Sequence, residues 1–282
     1  MLNSKITEEI QQHVEKDIVM VSPLSSATNA ETYRLSLEDQ SFLVVKVSEK
    51  GLDIEAYMMR YLKEKTDLPT PTVIYSQPHV MVMEHISSEW YMDALAEKIA
   101  GKHLAKLHRI TADRFGFEID TLIGSLHQPN PQMESWPEFF ATYRLLYMAE
   151  KAYGEKRIEK DLLHKIEKLS KKIPDLLPNS SKPCLIHGDV WAGNILSARG
   201  EIKAFLDPAI YYADPEIELA FTTLFDTFSS NFYRAYHEIN PIAEDFFKER
   251  RELYNLYPLL VHCRIFGKSY ARKVNKIVEK FI

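Results

Sequence analysis

Residues 184–208 read CLIHGDVWAGNILSARGEIKAFLDP. Three oxygen-bearing side chains stand in this stretch: Asp189, Asn194 five residues on, and Asp207 thirteen further. They sit at the edges of short apolar runs. CLI (184–186) and NIL (194–196) are apolar, ARGE (198–201) is a turn, and IKAFL (202–206) is a strand. Asp189 falls on the loop after the first run, Asn194 opens the second, and Asp207 ends the third. Folded as a hairpin with its preceding loop, the stretch gathers all three side chains at one end.

A carboxylate and an amide carbonyl are hard oxygen donors, suited to a Mg²⁺ ion that keeps waters and phosphate oxygens as its other ligands. The remaining Asp can accept a proton from a hydroxyl nucleophile. That is the working set of kinase-type phosphoryl transfer, which needs alignment and charge neutralisation more than covalent help. Any one of these residues alone is equally well explained as a turn former. The set HGD-x4-N-x12-D between apolar runs is not.

An independent signal lies upstream. Lys46 interrupts the apolar run FLVVKV, and Glu55 opens the next helix nine residues later. Alone, Lys46 reads as an edge-strand gatekeeper and Glu55 as a first-turn helix acid. Together they match the strand Lys that anchors phosphates and the helix Glu that orients it.

The rest of the chain organises around these sites. YRLSL (33–37) alternates apolar and polar, EDQ turns the chain, and SFLVVKV (41–47) is β-branched. A helix is expected from Asp53, with Ile54, Tyr57 and Tyr61 on one stripe, then two strands in TVIYSQPHVMVME (72–84). Before them, MLNSKITEEIQQHVEK reads as a helix with Ile6, Ile10 and Val14 on one face. After Glu84 the signal turns helical. KIAGKHLAKLHRI (98–110) is amphipathic, Ser135 and Glu138 form a capping box with Pro137 in the first turn, and DLLHKIEKLSKKI (161–173) repeats apolar residues at helical spacing. Helical patterns resume from about residue 216. The expected fold is therefore α+β in two lobes. Residues 1–84 form a small antiparallel β-rich lobe, residues 85–282 a larger, mainly helical one, and a ligand is expected in the cleft between them.

Composition excludes several classes. The chain has 282 residues, 45% apolar and 27% charged, as in an ordinary globular protein. A net charge of −5 argues against a nucleic-acid partner. Two cysteines are too few for a disulfide framework. No run approaches the ~18 apolar residues of a membrane span. A cytoplasmic protein with no membrane partner is expected.

With these residues in view, the sequence resembles the fructosamine (ketosamine) kinase family, within the protein-kinase-like clan of aminoglycoside and choline kinases. The resemblance rests on LIHGDVWAGNIL (185–196), FLDPAIYYADPEIELA (205–220) and FGFEIDTLIGSLHQPNPQMESWPEFFATYRL (115–145), and spans roughly residues 20 to 260. It implies ATP- and Mg²⁺-dependent phosphorylation of the 3-hydroxyl of a ketosamine, a sugar adduct on an amine. The acceptor is a small molecule or a glycated protein lysine. The phosphorylated adduct then becomes unstable and releases the amine. Ribulosamines and erythrulosamines are implied ahead of fructosamines, and the protein is expected to be a monomer or weak dimer.

Carried over by resemblance, Asp189 is the base, Asn194 and Asp207 the metal ligands, and Lys46 with Glu55 the phosphate anchor. Met83, Glu84, His85 and Ile86 would meet adenine through their backbone. Trp191, Gln128, Asn130, Trp136, Tyr211, Tyr212 and Asp214 would shape the sugar site. Two departures stand out. The phosphate loop, PLSSATNAETYRL, has Ser26-Ala27 where the family carries a Gly pair, so Ser25, Ser26 and Thr28 hydroxyls would replace part of the backbone contact. No cysteine lies in this loop, so no thiol switch is expected there. Glu218 stands where the family has Asp, at the position that braces the catalytic loop. Two alternatives stay open: another sugar or amino-alcohol kinase of the clan, and a nucleotide-binding module without useful turnover. His103, His108 and the Cys184–His187 pair carry no metal-site spacing, and His187 is expected to orient backbone.

Overall fold

A computed structural model describes residues 2–27, 30–89 and 91–282, with the backbone alone for Ser26 and Ala27. The chain divides into two compact units. The first comprises Met1–Ala96 together with Gly193–Ala209, and the second Glu97–Ala192 with Ile210–Ile282.

The first unit begins with α1 (Ser4–Gln11), capped by the Asn3 side chain, which accepts from the Lys5 amide. Five antiparallel strands follow: β1 (Ile18–Ala27), β2 (Ala30–Leu37), β3 (Phe42–Ser48), β4 (Val73–Gln77) and β5 (Val80–Glu84). They are ordered β1-β2-β3-β5-β4, with α2 (Leu52–Lys65) inserted after β3. The expected ββαββ order is present, with β1 added at the edge. That strand escaped the sequence reading because Pro23, two register shifts and its run of serines blur the period-2 pattern.

Alternation assigns the two faces of this sheet. Val45, Val80 and Val82 pack with Ile10 and Val14 on the α1 side. Met81 and Met83 pack with Leu52, Ala56 and Met59 on the α2 side. Lys46 is paired with Met81 and adjoins Val45, so its side chain falls on the α2 face. The helix stripe differs from the expected one. Leu52, Ala56, Met58, Met59 and Leu62 are buried, while Ile54, Tyr57 and Tyr61 are only partly so. Both stripes have helical spacing, and the aliphatic one fits closer to the sheet than the bulky tyrosines.

The second unit is mainly helical. It holds most of α3 (Ala94–Leu107), a short hairpin of β6 (Thr121–Ile123) and β7 (Leu126–Gln128), then α4 (Trp136–Phe139). A π-helical stretch, Phe140–Leu146, runs directly into α5 (Tyr147–Gly154). The Ser135 side chain accepts from the Glu138 amide, as a capping box requires. Helices α6 (Lys160–Ser170) and α7 (Ile173–Leu176) precede β8 (Cys184–Ile186). Next come two strands that belong to the first unit, β9 (Ile195–Ala198) and β10 (Glu201–Phe205). Then β11 (Tyr211–Ala213), α8 (Glu216–Phe221), α9 (Ser230–His237), α10 (Arg251–Phe266) and α11 (Ser269–Phe281) complete the second unit.

Two organisational details were not expected. CLI pairs with Tyr211–Ala213, a partner the sequence reading did not assign. The β9–β10 hairpin, turned through Arg199 and Gly200 at φ 53° and 77°, groups with the first unit, so the division is not a single cut after residue 84. The reason is hydrogen bonding: Phe205 N–H donates to Pro69 O at 2.8 Å, and Glu89 N–H donates to Ser197 O at 2.8 Å. Among the described residues, no helix is long and apolar enough to cross a membrane.

Candidate active site

The first unit brings Lys46, Glu55 and Asp207 together. Lys46 Nζ donates to Glu55 Oε1 and Oε2 at 2.8 and 2.9 Å, and to Asp207 Oδ1 at 3.0 Å. The Lys46 and Glu55 side chains are 13% and 14% exposed, whereas Asp207 is 48% exposed. Burial opposes charge on Lys46, but the Asp207 and Glu55 carboxylates outweigh it and hold the ammonium above the ordinary lysine range. Burial, aided by the Asp207 charge, pushes Glu55 up against the pull of Lys46. One cation thus faces two carboxylates.

Asn194 closes a 3₁₀ turn, Ala192–Asn194, at the head of β9, and its side chain is buried. Its backbone carbonyl accepts from Leu206 N–H at 2.8 Å. Asn194 and Asp207 therefore share one end of the hairpin. Asp207 takes φ 52°, a left-handed conformation that an Asp tolerates and that re-aims the chain after the strand. Among the described residues, no group of three or more His, Cys, Asp or Glu could hold a metal ion. An amide and a carboxylate beside an excess of negative charge do fit a hard dication that keeps waters and phosphate oxygens. Asn194 and Asp207 are the residues that would hold Mg²⁺.

The second unit fixes the loop that carries Asp189. Gly188 sits at φ 89°, a conformation natural to glycine, so the chain can turn sharply between β8 and Asp189. The Glu218 carboxylate spans the loop. Oε1 accepts from Gly188 N–H at 2.5 Å and Oε2 from His187 N–H at 3.0 Å. The brace expected at this position is thus made by the longer acid. His187 turns back on the loop, its Nδ1 accepting from the Asp189 amide at 3.3 Å. Burial disfavours the Glu218 charge, but the His108 hydrogen bond, the neighbouring imidazoles of His108 and His187 and the Gly188 amide together hold its carboxyl below the usual range.

Two residues of this brace were missed in the sequence. His108 donates from Nε2 to Glu218 Oε2 at 2.8 Å, and its Nδ1 meets the Tyr236 hydroxyl at 2.7 Å. Separations of 110 and 128 residues leave no local signal for these contacts. The one available hint was a histidine on the apolar stripe of KHLAKLHRI.

The expected sugar-site residues divide sharply. Trp191 is 39% exposed and lies beside Phe225, with ring centroids 6.1 Å apart. Phe225 meets His262 at 5.0 Å, and His262 meets Tyr270 at 5.2 Å and Phe266 at 5.4 Å. Burial holds His262 below the usual imidazole range. This aromatic group around Trp191 was not legible in sequence. By contrast, Gln128, Asn130, Trp136, Tyr211 and Asp214 expose 3% or less of their surface. Four of them have polar atoms hydrogen-bonded within the framework, while the buried Tyr211 hydroxyl has no hydrogen-bond partner among the described residues. Gln128 joins Thr121 and Tyr257, Asn130 receives Arg144, and Trp136 Nε1 donates to Tyr254 OH. Asp214 accepts from Ser181 and Tyr254, and the Arg144 guanidinium lies 3.9 Å above the Tyr211 ring. All five side chains are buried among these partners. Tyr212 is partly buried in β11.

Of the expected nucleotide contacts, Met83 is buried in β5, and Glu84 ends that strand with its N–H given to Thr72 O and its carboxylate accepting from Thr72. His85 and Ile86 lie just past the strand. Ser25 is exposed on β1, opposite Thr32. The expected phosphate loop is thus the tip of the β1–β2 hairpin. The Ser26 side chain and Thr28 lie outside the described residues.

A five-stranded sheet carrying a Lys–Glu pair, and a helical unit carrying a braced Asp loop, define a kinase of the protein-kinase-like α+β fold. The chain belongs to the fructosamine kinase family, whose sequence model matches residues 2–282. A probable ketoamine kinase of Vibrio parahaemolyticus is 30% identical over 270 residues, 92% of this chain and 91% of that protein. One of a Synechocystis strain is 38% identical over 182 residues, but the match spans only 64% of this chain and 60% of that protein. A chloroplastic protein-ribulosamine 3-kinase of Arabidopsis thaliana is 34% identical over 188 residues, 64% of this chain and 56% of its own. Among solved structures, a candidate fructosamine-3-kinase from Thermobifida fusca superposes with a TM-score of 0.89 at 26% identity, covering 98% of each chain. An ADP-bound aminoglycoside phosphotransferase shares the fold alone, with a TM-score of 0.67 at 17% identity over 99% of this chain and 97% of that one.

Proposed function

We propose that this protein transfers the γ-phosphoryl group of ATP to the 3-hydroxyl of a ketosamine, with ribulosamines and erythrulosamines ahead of fructosamines. The observation that carries this reading is the Lys46–Glu55–Asp207 cluster, made at 2.8 to 3.0 Å by residues up to 161 positions apart. A surface gatekeeper lysine would have no need of two carboxylates.

In this reading Lys46 binds the α- and β-phosphates and Glu55 orients it. Met83 to Ile86 meet adenine, and Ser25 stands near the phosphates. Mg²⁺ held by Asn194 and Asp207 would neutralise charge on the β- and γ-phosphates. Asp189 accepts the proton of the acceptor hydroxyl as its oxygen bonds to the γ-phosphorus. The bond from that phosphorus to the β,γ-bridging oxygen breaks, and ADP leaves. Trp191 and the aromatic group around it offer ring faces to the sugar or its amine carrier. Phosphorylation at O3 then labilises the adduct and frees the amine, so the activity serves deglycation in a cytoplasmic setting.

The test is an ADP-release screen of the purified protein with Mg·ATP. Ribulosyl-, erythrulosyl- and fructosyl-lysine are compared with choline and an aminoglycoside. Turnover on the ribulosyl or erythrulosyl adduct supports the proposal. Turnover on choline or the aminoglycoside with none on the three ketosamines rejects it.

A further inference from the structure

The brace on the Asp189 loop does not end at Glu218. Both oxygens of this fully buried carboxylate are engaged by loop amides, and Oε2 takes a third donor, His108 Nε2. A glutamate has one more rotatable bond than the aspartate expected here, so two backbone donors alone fix its plane less firmly. A carboxylate only accepts, so His108 must carry its proton on Nε2. The ring is set in turn from its other side. Its Nδ1 meets the buried Tyr236 hydroxyl, and the Tyr236 backbone carbonyl accepts from Asn240 N–H at 2.9 Å. The Asn240 side-chain amide donates to Ala105 O at 2.6 Å, back on the helix that leads to His108. The chain of contacts closes on itself through α3, α8 and α9.

The backbone is shaped for this closure. Gly101 lies on α3, and a Cβ built there would stand 2.4 Å from Phe232 O and 3.3 Å from Tyr236 N on α9. The absence of a side chain lets the two helices approach closely, and that approach places Tyr236 within reach of His108.

We infer that His108 is a positioning residue for the loop that carries Asp189, acting through Glu218, with Tyr236 setting the orientation of its ring. The inference rests on the role proposed above for Asp189. Losing the ring donor frees Oε2 to rotate, and the His187 and Gly188 amides lose a fixed acceptor. A displacement of even ~1 Å at a reacting group costs up to about 100-fold in rate.

Three variants test it, with folding checked by thermal melting. His108→Leu removes the donor. His108→Gln keeps an N–H near the Nε2 position. Tyr236→Phe removes only the hydroxyl. The readouts are kcat and KM for ATP on the best ketosamine, and hydrogen exchange of the His187 and Gly188 amides. His108→Leu is expected to lower kcat by about 10- to 100-fold with KM for ATP within about threefold. Amide exchange at His187 and Gly188 rises in the same variant. His108→Gln restores both readouts to near wild type, and Tyr236→Phe falls between. Unchanged exchange in folded His108→Leu, or equal losses in folded His108→Gln and His108→Leu, overturns the inference. If His108→Leu does not fold, raised exchange in folded Tyr236→Phe with wild-type exchange in His108→Gln supports the inference, and wild-type exchange in both overturns it. A wild-type protein without ketosamine turnover would reject the proposed function instead, and the exchange measurement would still decide the positioning role.

Discussion

Glu218→Gln is the perturbation whose size follows most directly from the structure. Glu218 accepts three hydrogen bonds, from Gly188 N–H on Oε1 and from His187 N–H and His108 Nε2 on Oε2. A glutamine has one acceptor oxygen. Placed at Oε2, it keeps two bonds and turns its NH₂ toward the Gly188 amide, which is left without an acceptor. Orphaning one buried donor costs about 1–3 kcal/mol, and two bonds fall from charge-assisted to neutral at roughly 1 kcal/mol each. Relief of carboxylate desolvation offsets part of this, so a net loss of about 2–4 kcal/mol is expected. The opposite amide orientation orphans two donors and is worse. Against a typical stability of about 5–15 kcal/mol, the loss is large.

The assay is urea denaturation of both proteins across pH. The Glu218 carboxyl is held below its usual range in the folded state. Its contribution is therefore present above the ordinary carboxylate pKa and is lost as pH falls through the depressed folded value. The gap between wild type and variant should be flat from about pH 8 to 5 and narrow below about pH 4. Equal stability at neutral pH, or a gap that widens on acidification, would refute the three-bond assignment.

Further outcomes are expected at other positions. Asp189→Asn abolishes turnover yet binds Mg·ATP, whereas Asp207→Ala weakens Mg·ATP itself; calorimetric titration of both variants separates base from ligand, and equal loss of binding refutes the division. Burial raises both thiols, Cys184 to about 11; neither should react with a thiol reagent at pH 8 until urea unfolds the protein, and rapid native labelling would contradict this. Gly101→Ala pushes a Cβ into the Phe232 carbonyl, where backbone cannot give way; a loss of about 1–3 kcal/mol in urea is expected, and none would show that α3 and α9 separate freely.

The sequence was legible where chemistry forced rare residues into apolar runs. Lys46 inside FLVVKV could be assigned because a buried ammonium needs partners, and alternation along β3 puts it on the α2 face with Glu55. The β9–β10 hairpin was readable from ARGE, whose Arg and Gly both take positive φ. Illegible features depended on tertiary distance. Strand β11 has three residues, too few to show a period, and its partner β8 lies 25 residues earlier. Tyr211, Asp214 and Trp136 drew a functional reading from the family resemblance of their blocks. In the interior Trp136 and Asp214 both bond Tyr254, and Arg144 lies over the Tyr211 ring, contacts between distant positions that no local pattern announces. The His108–Glu218 contact joins residues with no common pattern, so only folding reveals it.

The central claim is tested most directly by locating the phosphate in the product. Ribulosyl-lysine is incubated with Mg·ATP and the protein, and the product is analysed by ³¹P–¹H correlation NMR. A phosphate coupled to the sugar proton at C3, absent with Asp189→Asn, is the predicted result. ATP left intact, or a phosphate on another hydroxyl, would contradict it.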